Sequence, residues 1–302
     1  MTSLANKSFS FRSLLDSTSK YSLWDIYEKN KRVYRFSTIF MIILRGYIKR
    51  LIDSHKQGKC HSWPDLEENI IFQRNKYNRI TFLIKPMRPN TDEGEDFKKS
   101  DFEALVDLIT KSRISCNLSG FPQEINDFVE LLHSGDAELA LHHCALWKSK
   151  KRARYVMDIY REWMADSPEF SVVAEKLNDE EEMSKFIPPM FWTVVEKDKV
   201  LTECCELIRD SGEYAGEKQE KFKKNFAGLL EFMHKTYKHC TLDSMGNFYC
   251  QTDMEWKFFC YYPSLISELW KIWKGKEKDY GAHFELGTDS ADSADEDNQG
   301  NS

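Results

Sequence analysis

Apolar residues recur at three- and four-residue steps over residues 36–51, and this spacing predicts an amphipathic helix. Upstream, the stretch Ser22-Leu-Trp-Asp25 has the form of a capping box, so the helix is predicted to begin there. The pattern continues to about His55, and Gly58 is expected to end the helix.

Cations accompany this predicted helix on the side away from its apolar stripe. They are Lys31, Arg35, Arg45 and Lys49. We interpret the element as a core helix with a solvated basic face, and a helix that binds an anionic or membrane surface is the alternative.

Two β-rich runs, ENIIFQ and RITFLIKP, flank the turn-like RNKYN and predict a β-hairpin near residues 69–85. The polar segment 87–100 is predicted to be a loop or linker, and Ser100-Asp-Phe-Glu103 is a second capping box that would open the next helix. Residues 121–240 have a mainly helical pattern. At 240–260 the helical period breaks, which predicts a short pair of strands.

These patterns predict an α+β protein that is predominantly α-helical. The predicted organisation has four parts: a basic N-terminal region at 1–86 with the long helix and the hairpin, a polar linker at 87–100, a helical domain with a small β element at 101–274, and a disordered acidic tail at 275–302.

Charge is distributed unevenly along the chain. Residues 285–302 contain six acidic residues and no cation, which leaves 43 acidic and 43 basic residues in the rest of the chain. Residues 1–60 carry 12 Lys and Arg against 4 Asp and Glu. A basic front, a balanced middle and an acidic tail favour a role in interactions.

The N-terminal residues MTSLANKSFSFRSLLDSTSK lack the apolar core of a signal peptide, and the strongest apolar run, FSTIFMIIL, is much shorter than a membrane span. We therefore expect an intracellular protein, cytoplasmic or nuclear, with no transmembrane segment and with reduced cysteines.

Motifs with a defined chemistry are absent: the sequence has no phosphate-binding glycine loop, no His-Glu-x-x-His, no nucleophile elbow and no EF-hand loop. Weak candidates for metal ligands are His239, Cys240, Cys250 and Cys260, which lack the close Cys-x-x-Cys spacing of structural zinc sites. We predict no metal, no cofactor and no catalytic activity, with a thiol or zinc enzyme as an open alternative.

One basic stretch stands out, with five cations in seven residues: Lys148, Lys150, Lys151, Arg152 and Arg154. On a helical wheel these cations surround the axis, so we interpret the stretch as a solvated joint between helices. Its cation density is typical of a nuclear import signal or of a small phosphate-binding patch.

The predicted function is that of an intracellular regulatory protein that binds other proteins through this basic joint and the acidic tail, in which Ser293 is a candidate phosphorylation site. A virus-encoded accessory role fits the richness in Cys, Phe and Tyr. The alternative is a nucleic-acid-binding protein that uses the basic N-terminal region together with residues 148–154.

Overall fold

The structure, a computed structural model, describes residues 8–26, 33–60, 66–74, 80–84, 95–165, 171–179, 181, 197–210, 226–239 and 250–273. Within these ranges the protein is a predominantly α-helical α+β protein, as the sequence predicts. Its helices are α1 (Phe11–Leu15), α2 (Thr38–Lys56), α3 (Leu66–Asn69), α4 (Glu95–Ser115), α5 (Gln123–His133), α6 (Ala137–His142), α7 (Ser149–Met164), α8 (Ser171–Asn178), α9 (Lys199–Asp210), α10 (Phe226–His239), α11 (Gln251–Tyr261) and α12 (Leu265–Trp273). Two 3-10 helices cover Thr18–Leu23 and Cys144–Leu146.

The strands that the structure describes lie in the N-terminal half of the chain. They are β1 (Ser8–Ser10), β2 (Trp24–Ile26), β3 (Tyr34–Phe36), β4 (Ile70–Arg74) and β5 (Ile80–Ile84). Strands β4 and β5 pair antiparallel, which confirms the predicted hairpin, and β1 adds to the other edge of β4. Strands β2 and β3 form a separate antiparallel pair with Trp24 opposite Phe36.

The predicted start of the long helix is wrong. Residues Trp24–Ile26 and Tyr34–Phe36 are strands rich in aromatic and β-branched side chains, and α2 begins only at Thr38. The N-cap is Ser37, whose hydroxyl accepts a hydrogen bond from the Phe40 amide at 3.3 Å. The predicted end is confirmed, because α2 stops at Lys56 and Gly58 adopts a φ of 70°.

Two other local predictions also need correction. Helix α4 begins at Glu95, so Ser100 lies inside a helix and is not its cap, and the predicted linker is helical over residues 95–100. In the second half, the segment predicted to form strands contains helix α11 (Gln251–Tyr261) instead. Asp253 accepts a hydrogen bond from the backbone amide of Cys250 and closes the capping box of α11. Residues 240–249 lie outside the described residues.

The buried side chains form two core clusters. The first, which we call the N-terminal core, collects buried side chains from Phe11 to Leu146, and the second, the C-terminal core, collects those from Cys144 to Trp273. Buried residues on both sides of the predicted 87–100 linker belong to the N-terminal core. The division between the cores therefore falls at residues 144–147 and not at that linker.

The two cores touch along α5 and the segment before α7. Leu131 packs against both of them. His143 is fully buried, and its ring lies 5.8 Å from Phe128 of the N-terminal core and 4.4 Å from Trp270 of the C-terminal core. None of the helices in the described ranges combines the length and the apolar character needed to cross a bilayer.

Candidate functional site

The basic stretch predicted from the sequence forms the first turns of α7, and the fold divides its five cations between the surface and the interior. Lys148 is the N-cap residue and is exposed, and Lys150 and Arg154 are exposed as well. Lys151 is half-buried, with its ammonium group 4.5 Å from the centre of the Trp147 ring. Arg152 has no exposed surface. The prediction of a wholly solvated joint is therefore wrong.

Arg152 lies inside because it occupies the apolar stripe of α7. The residues Ser149, Arg152, Val156 and Ile159 are all buried and follow one another at three- and four-residue steps. A helical-wheel analysis that treats every cation as solvated does not identify this arrangement. The sequence did contain an indication of it, because Arg152 precedes Val156 by four residues and Ile159 by seven, which places all three on the same helix face.

The guanidinium of Arg152 is fully engaged with two buried carboxylates. It donates to Glu124 through two nitrogens, at 2.7 and 2.8 Å, and its Nε donates to Glu255 at 2.6 Å. A third acceptor is the Cys144 carbonyl at 3.1 Å. The paired donation to Glu124 is the geometry that arginine offers to a carboxylate and that lysine does not.

Arg35 completes this cluster from the N-terminal half of the chain. Its guanidinium donates to Glu255 at 2.6 Å and to the Ser149 hydroxyl at 2.7 Å, and it lies 4.3 Å from the centre of the Trp256 ring. We call Arg35, Arg152, Glu124 and Glu255 the buried charge cluster. Its two positive and two negative charges balance, and such pairing is required for ionised side chains to be buried in a protein interior.

The electrostatics of the cluster follow from this pairing. Burial acts to raise the pKa of Glu255, but the nearby guanidinium groups of Arg152 and Arg35 outweigh burial, so that the pKa lies below its ordinary value. For Arg152, burial acts to lower the pKa, and Glu124 and Glu255 more than offset it, so the arginine stays charged. The pairing of opposite charges therefore keeps Glu255 and Arg152 ionised in spite of their burial.

Three cations of the basic stretch are exposed, Lys148, Lys150 and Arg154, and we call them the α7 patch. The first turn of α7 contains no acidic residue. The partial positive charge at the N-terminus of a helix repels cations, so Lys148 and Lys150 lie where positive charge is electrostatically unfavourable for the helix. Arg154 lies in the second turn and has a distant partner in Asp158, at 3.8 Å.

Of the other predicted basic residues, the structure describes Arg35, Arg45 and Lys49. Arg35 is buried in strand β3, so its assignment to a basic helix face is wrong. On α2, Arg45 is half-buried and Lys49 is exposed. Lys31 lies outside the described residues, as does Ser293.

The structure describes the side chains of two of the four predicted metal-ligand candidates, Cys250 and Cys260. Cys250 is exposed and caps α11, where its thiol donates to Asp253 at 3.1 Å. Cys260 is half-buried, and burial raises the pKa of its thiol to about 12, so it stays protonated at neutral pH. Cys240 and the side chain of His239 lie outside the described residues.

A second site was missed by the sequence analysis. His55, Cys60 and Asp101 each bring one potential metal-ligand atom to within 4.8 Å of the other two. Among the described residues, this is the cluster of three such side chains that could hold a metal ion. The imidazole Nε2 of His55 lies 2.9 Å from the Asp101 carboxylate. Since 46 residues separate His55 from Asp101, no short motif could have indicated the cluster.

This cluster borders an open groove of about 550 Å³ between the end of α2, the beginning of α4 and the turn from α5 to α6. His55, Lys98, Lys99 and His133 are among the residues that line it. Lys56 and Glu138 form an ion pair at 2.9 Å at its rim. The groove gives solvent a path to His55.

Comparison with known proteins does not add a functional assignment. The chain matches no protein-family model, and no curated protein matches it. Function must therefore be argued from the geometry alone.

Proposed function

We propose that the protein is a non-catalytic binding protein of the cytoplasm or nucleus, and that the α7 patch binds an acidic segment of a partner protein. The observation that carries the proposal is the position of Lys148, Lys150 and Arg154. Lys148 and Lys150 are exposed at a helix N-terminus whose first turn has no acidic residue, and Arg154 is exposed in the next turn.

The placement of Lys148 and Lys150 is not explained by stability. A cation in the first turn of a helix is unfavourable by about 0.3–1 kcal/mol, because the amide dipoles leave partial positive charge there. Arg152, the cation of the stretch that does stabilise the fold, points inward to Glu124 and Glu255. The outward cations are best explained by a ligand that brings negative charge to the same place.

A protein partner is favoured over nucleic acid. Three exposed cations can neutralise only a few phosphates, whereas nucleic-acid-binding surfaces usually combine a broad basic area with aromatic side chains. The chain up to residue 284 is also formally neutral. The buried Arg35 and Arg152 are not available to widen the basic surface.

The geometry also disfavours a simple import signal. Such a signal must present consecutive cations to a receptor, yet Arg152 is fully buried and would be released only if α7 unfolded. Nuclear localisation, a role for the acidic tail and a virus-encoded accessory function stay predictions.

The proposal is tested by affinity capture from cells followed by quantitative mass spectrometry. The comparison is between the full-length wild type, the patch variant K148Q/K150Q/R154Q and a control variant, K49Q/K59Q/K176Q. The control removes the same charge from lysines that are also exposed but lie elsewhere. Nuclease treatment of each lysate separates direct protein partners from those held through nucleic acid.

We expect the patch variant to lose a defined partner that has an acidic segment, while the control variant and nuclease-treated wild type retain it. Equal partner sets for the patch and control variants would contradict the proposal. Loss of the partner on nuclease treatment would instead favour the nucleic-acid-binding alternative.

A further inference from the structure

Three chemically distinct side chains meet near the end of α2. His55 belongs to the last turn of α2, Cys60 follows the turn after that helix, and Asp101 comes from α4. Cys60 and Asp101 are each 2% exposed, and the His55 side chain is 11% exposed. The cluster is therefore enclosed, with access from the groove that His55 lines.

The backbone after α2 is shaped to bring Cys60 back to His55. The amide of Gly58 donates to the His55 carbonyl at 3.1 Å, and the amide of Lys59 donates to the Ser54 carbonyl at 2.9 Å. Gly58 has a φ of 70°, a left-handed conformation that glycine adopts without strain. This reversal directs the chain back along the helix end, so that Cys60 reaches the cluster.

The donor set is one that zinc prefers. An imidazole nitrogen, a thiolate and a carboxylate oxygen are the three ligand types that bind Zn²⁺ in proteins, whereas Mg²⁺ and Ca²⁺ take oxygen ligands. Around a tetrahedral zinc ion, ligand atoms about 2.0–2.3 Å from the metal lie about 3.3–3.8 Å from one another. The three atoms here lie within 4.8 Å of one another, so binding requires a separation to shorten by at most about 1.5 Å, shared between two side chains.

We infer that His55, Cys60 and Asp101 bind one zinc ion, with water from the groove as the fourth ligand. The His55–Asp101 hydrogen bond of 2.9 Å holds two of the ligands together before the metal enters. On binding, Cys60 loses its proton to solvent, and the proton of the His55–Asp101 hydrogen bond moves by way of solvent to the other imidazole nitrogen, so that two bonds to the metal replace this hydrogen bond. The ion links the end of α2 to α4. This role does not depend on partner binding by the α7 patch.

The test begins with the metal content of full-length protein purified without chelators and without a polyhistidine tag. Zinc is measured in the wild type and in C60S, H55Q and D101N. The control C250S removes a ligand-type side chain that is exposed and outside both the cluster and the groove. We expect about one zinc ion per chain in the wild type and in the control, and a decrease of at least about fivefold in the three cluster variants.

A second measurement does not depend on the folding of the variants. Metal-free wild type is titrated with Co²⁺, which replaces zinc and gives a thiolate-to-cobalt charge-transfer absorption band when a cysteine is a ligand. The same band is expected with C250S, and a chelator should lower the melting temperature of the zinc-loaded wild type.

Two results would overturn the inference. One is wild-type protein that has no zinc and shows no charge-transfer band with Co²⁺. The other is a cluster variant that folds and keeps the zinc content of the wild type, which would place the metal elsewhere in the chain.

Discussion

At the scale of single residues, Arg152 has the largest structural role in the basic stretch. A guanidinium without solvent contact is stable only if its charge is neutralised and its nitrogens are hydrogen-bonded, and in Arg152 all three nitrogens donate to Glu124, Glu255 or the Cys144 carbonyl. Its neighbour Arg154, two residues along the same helix, is largely exposed, and its ion pair with Asp158 is long, at 3.8 Å. The two arginines therefore form a matched pair for experiment.

Replacing Arg152 with glutamine should lower the free energy of unfolding by about 3–5 kcal/mol, because it leaves the buried Glu124 without its arginine and Glu255 with Arg35 alone. Replacing Arg154 with glutamine should change it by no more than about 0.5 kcal/mol. Urea-induced unfolding followed by tryptophan fluorescence measures both. Similar unfolding free energies for the two variants would show that Arg152 does not hold the buried charge cluster together.

Stability should also depend on pH through Glu255. Its ordinary pKa is 4.5, and the folded state lowers it through Arg152 and Arg35 in spite of burial. A carboxylate of this kind stabilises the fold above its unfolded-state pKa and loses that contribution as pH falls through the lower folded-state value.

The variant E255Q cannot titrate at this position, so it should be less stable than wild type at pH 7, and the difference should shrink as pH falls from about 5 to about 3. Unfolding free energies of both proteins across this range give the comparison. A difference that stays constant down to pH 3 would mean that Glu255 is not held ionised by its arginines.

At the scale of secondary-structure elements, local sequence patterns predicted the middle of the long helix α2 better than they predicted where helices begin. The apolar stripe of α2 is buried where the periodicity is strongest, at Phe40, Ile43, Tyr47 and Leu51. The two capping boxes that we read from the sequence, by contrast, do not start helices, because Trp24–Ile26 pairs with Tyr34–Phe36 and α4 has already begun at Glu95. A capping motif needs four residues only, so tertiary packing readily overrides it.

The true cap of α2 gives a direct test of this assignment. S37A removes the hydroxyl that accepts from the Phe40 amide and should lower the free energy of unfolding by about 1 kcal/mol. S100A changes a serine inside α4 and should be neutral or slightly stabilising, since alanine is the better helix former. If S100A were the more destabilising of the two in chemical denaturation, the helix starts assigned here would be wrong.

At the scale of the whole molecule, long-range contacts decide what the sequence could not. Arg35 and Glu255 are 220 residues apart in the chain yet form a buried ion pair, and Arg152 and Glu255 are separated by 103 residues. The helical class and the hairpin follow from local periodicity and were predicted correctly. The burial of two cations predicted to be solvated depends on partners that no local pattern identifies.

The same division between interior and surface defines the proposed function. Arg35 and Arg152 neutralise buried carboxylates, whereas Lys148, Lys150 and Arg154 are exposed at the surface, where we propose that a ligand binds. An acidic peptide should therefore recognise the α7 patch without any change in the core. Residues 285–302, with six acidic residues and no cation, supply a suitable probe sequence.

The most direct measurement is the affinity of a fluorescent peptide of that sequence for the full-length protein, by fluorescence anisotropy at low salt. Removing the three cations of the patch in K148Q/K150Q/R154Q should raise the Kd by about tenfold, with weaker binding at higher ionic strength. The control K49Q/K59Q/K176Q should change the Kd by less than about twofold. Equal weakening by both variants, or an unchanged Kd for the patch variant, would contradict the assignment of Lys148, Lys150 and Arg154 as a binding site.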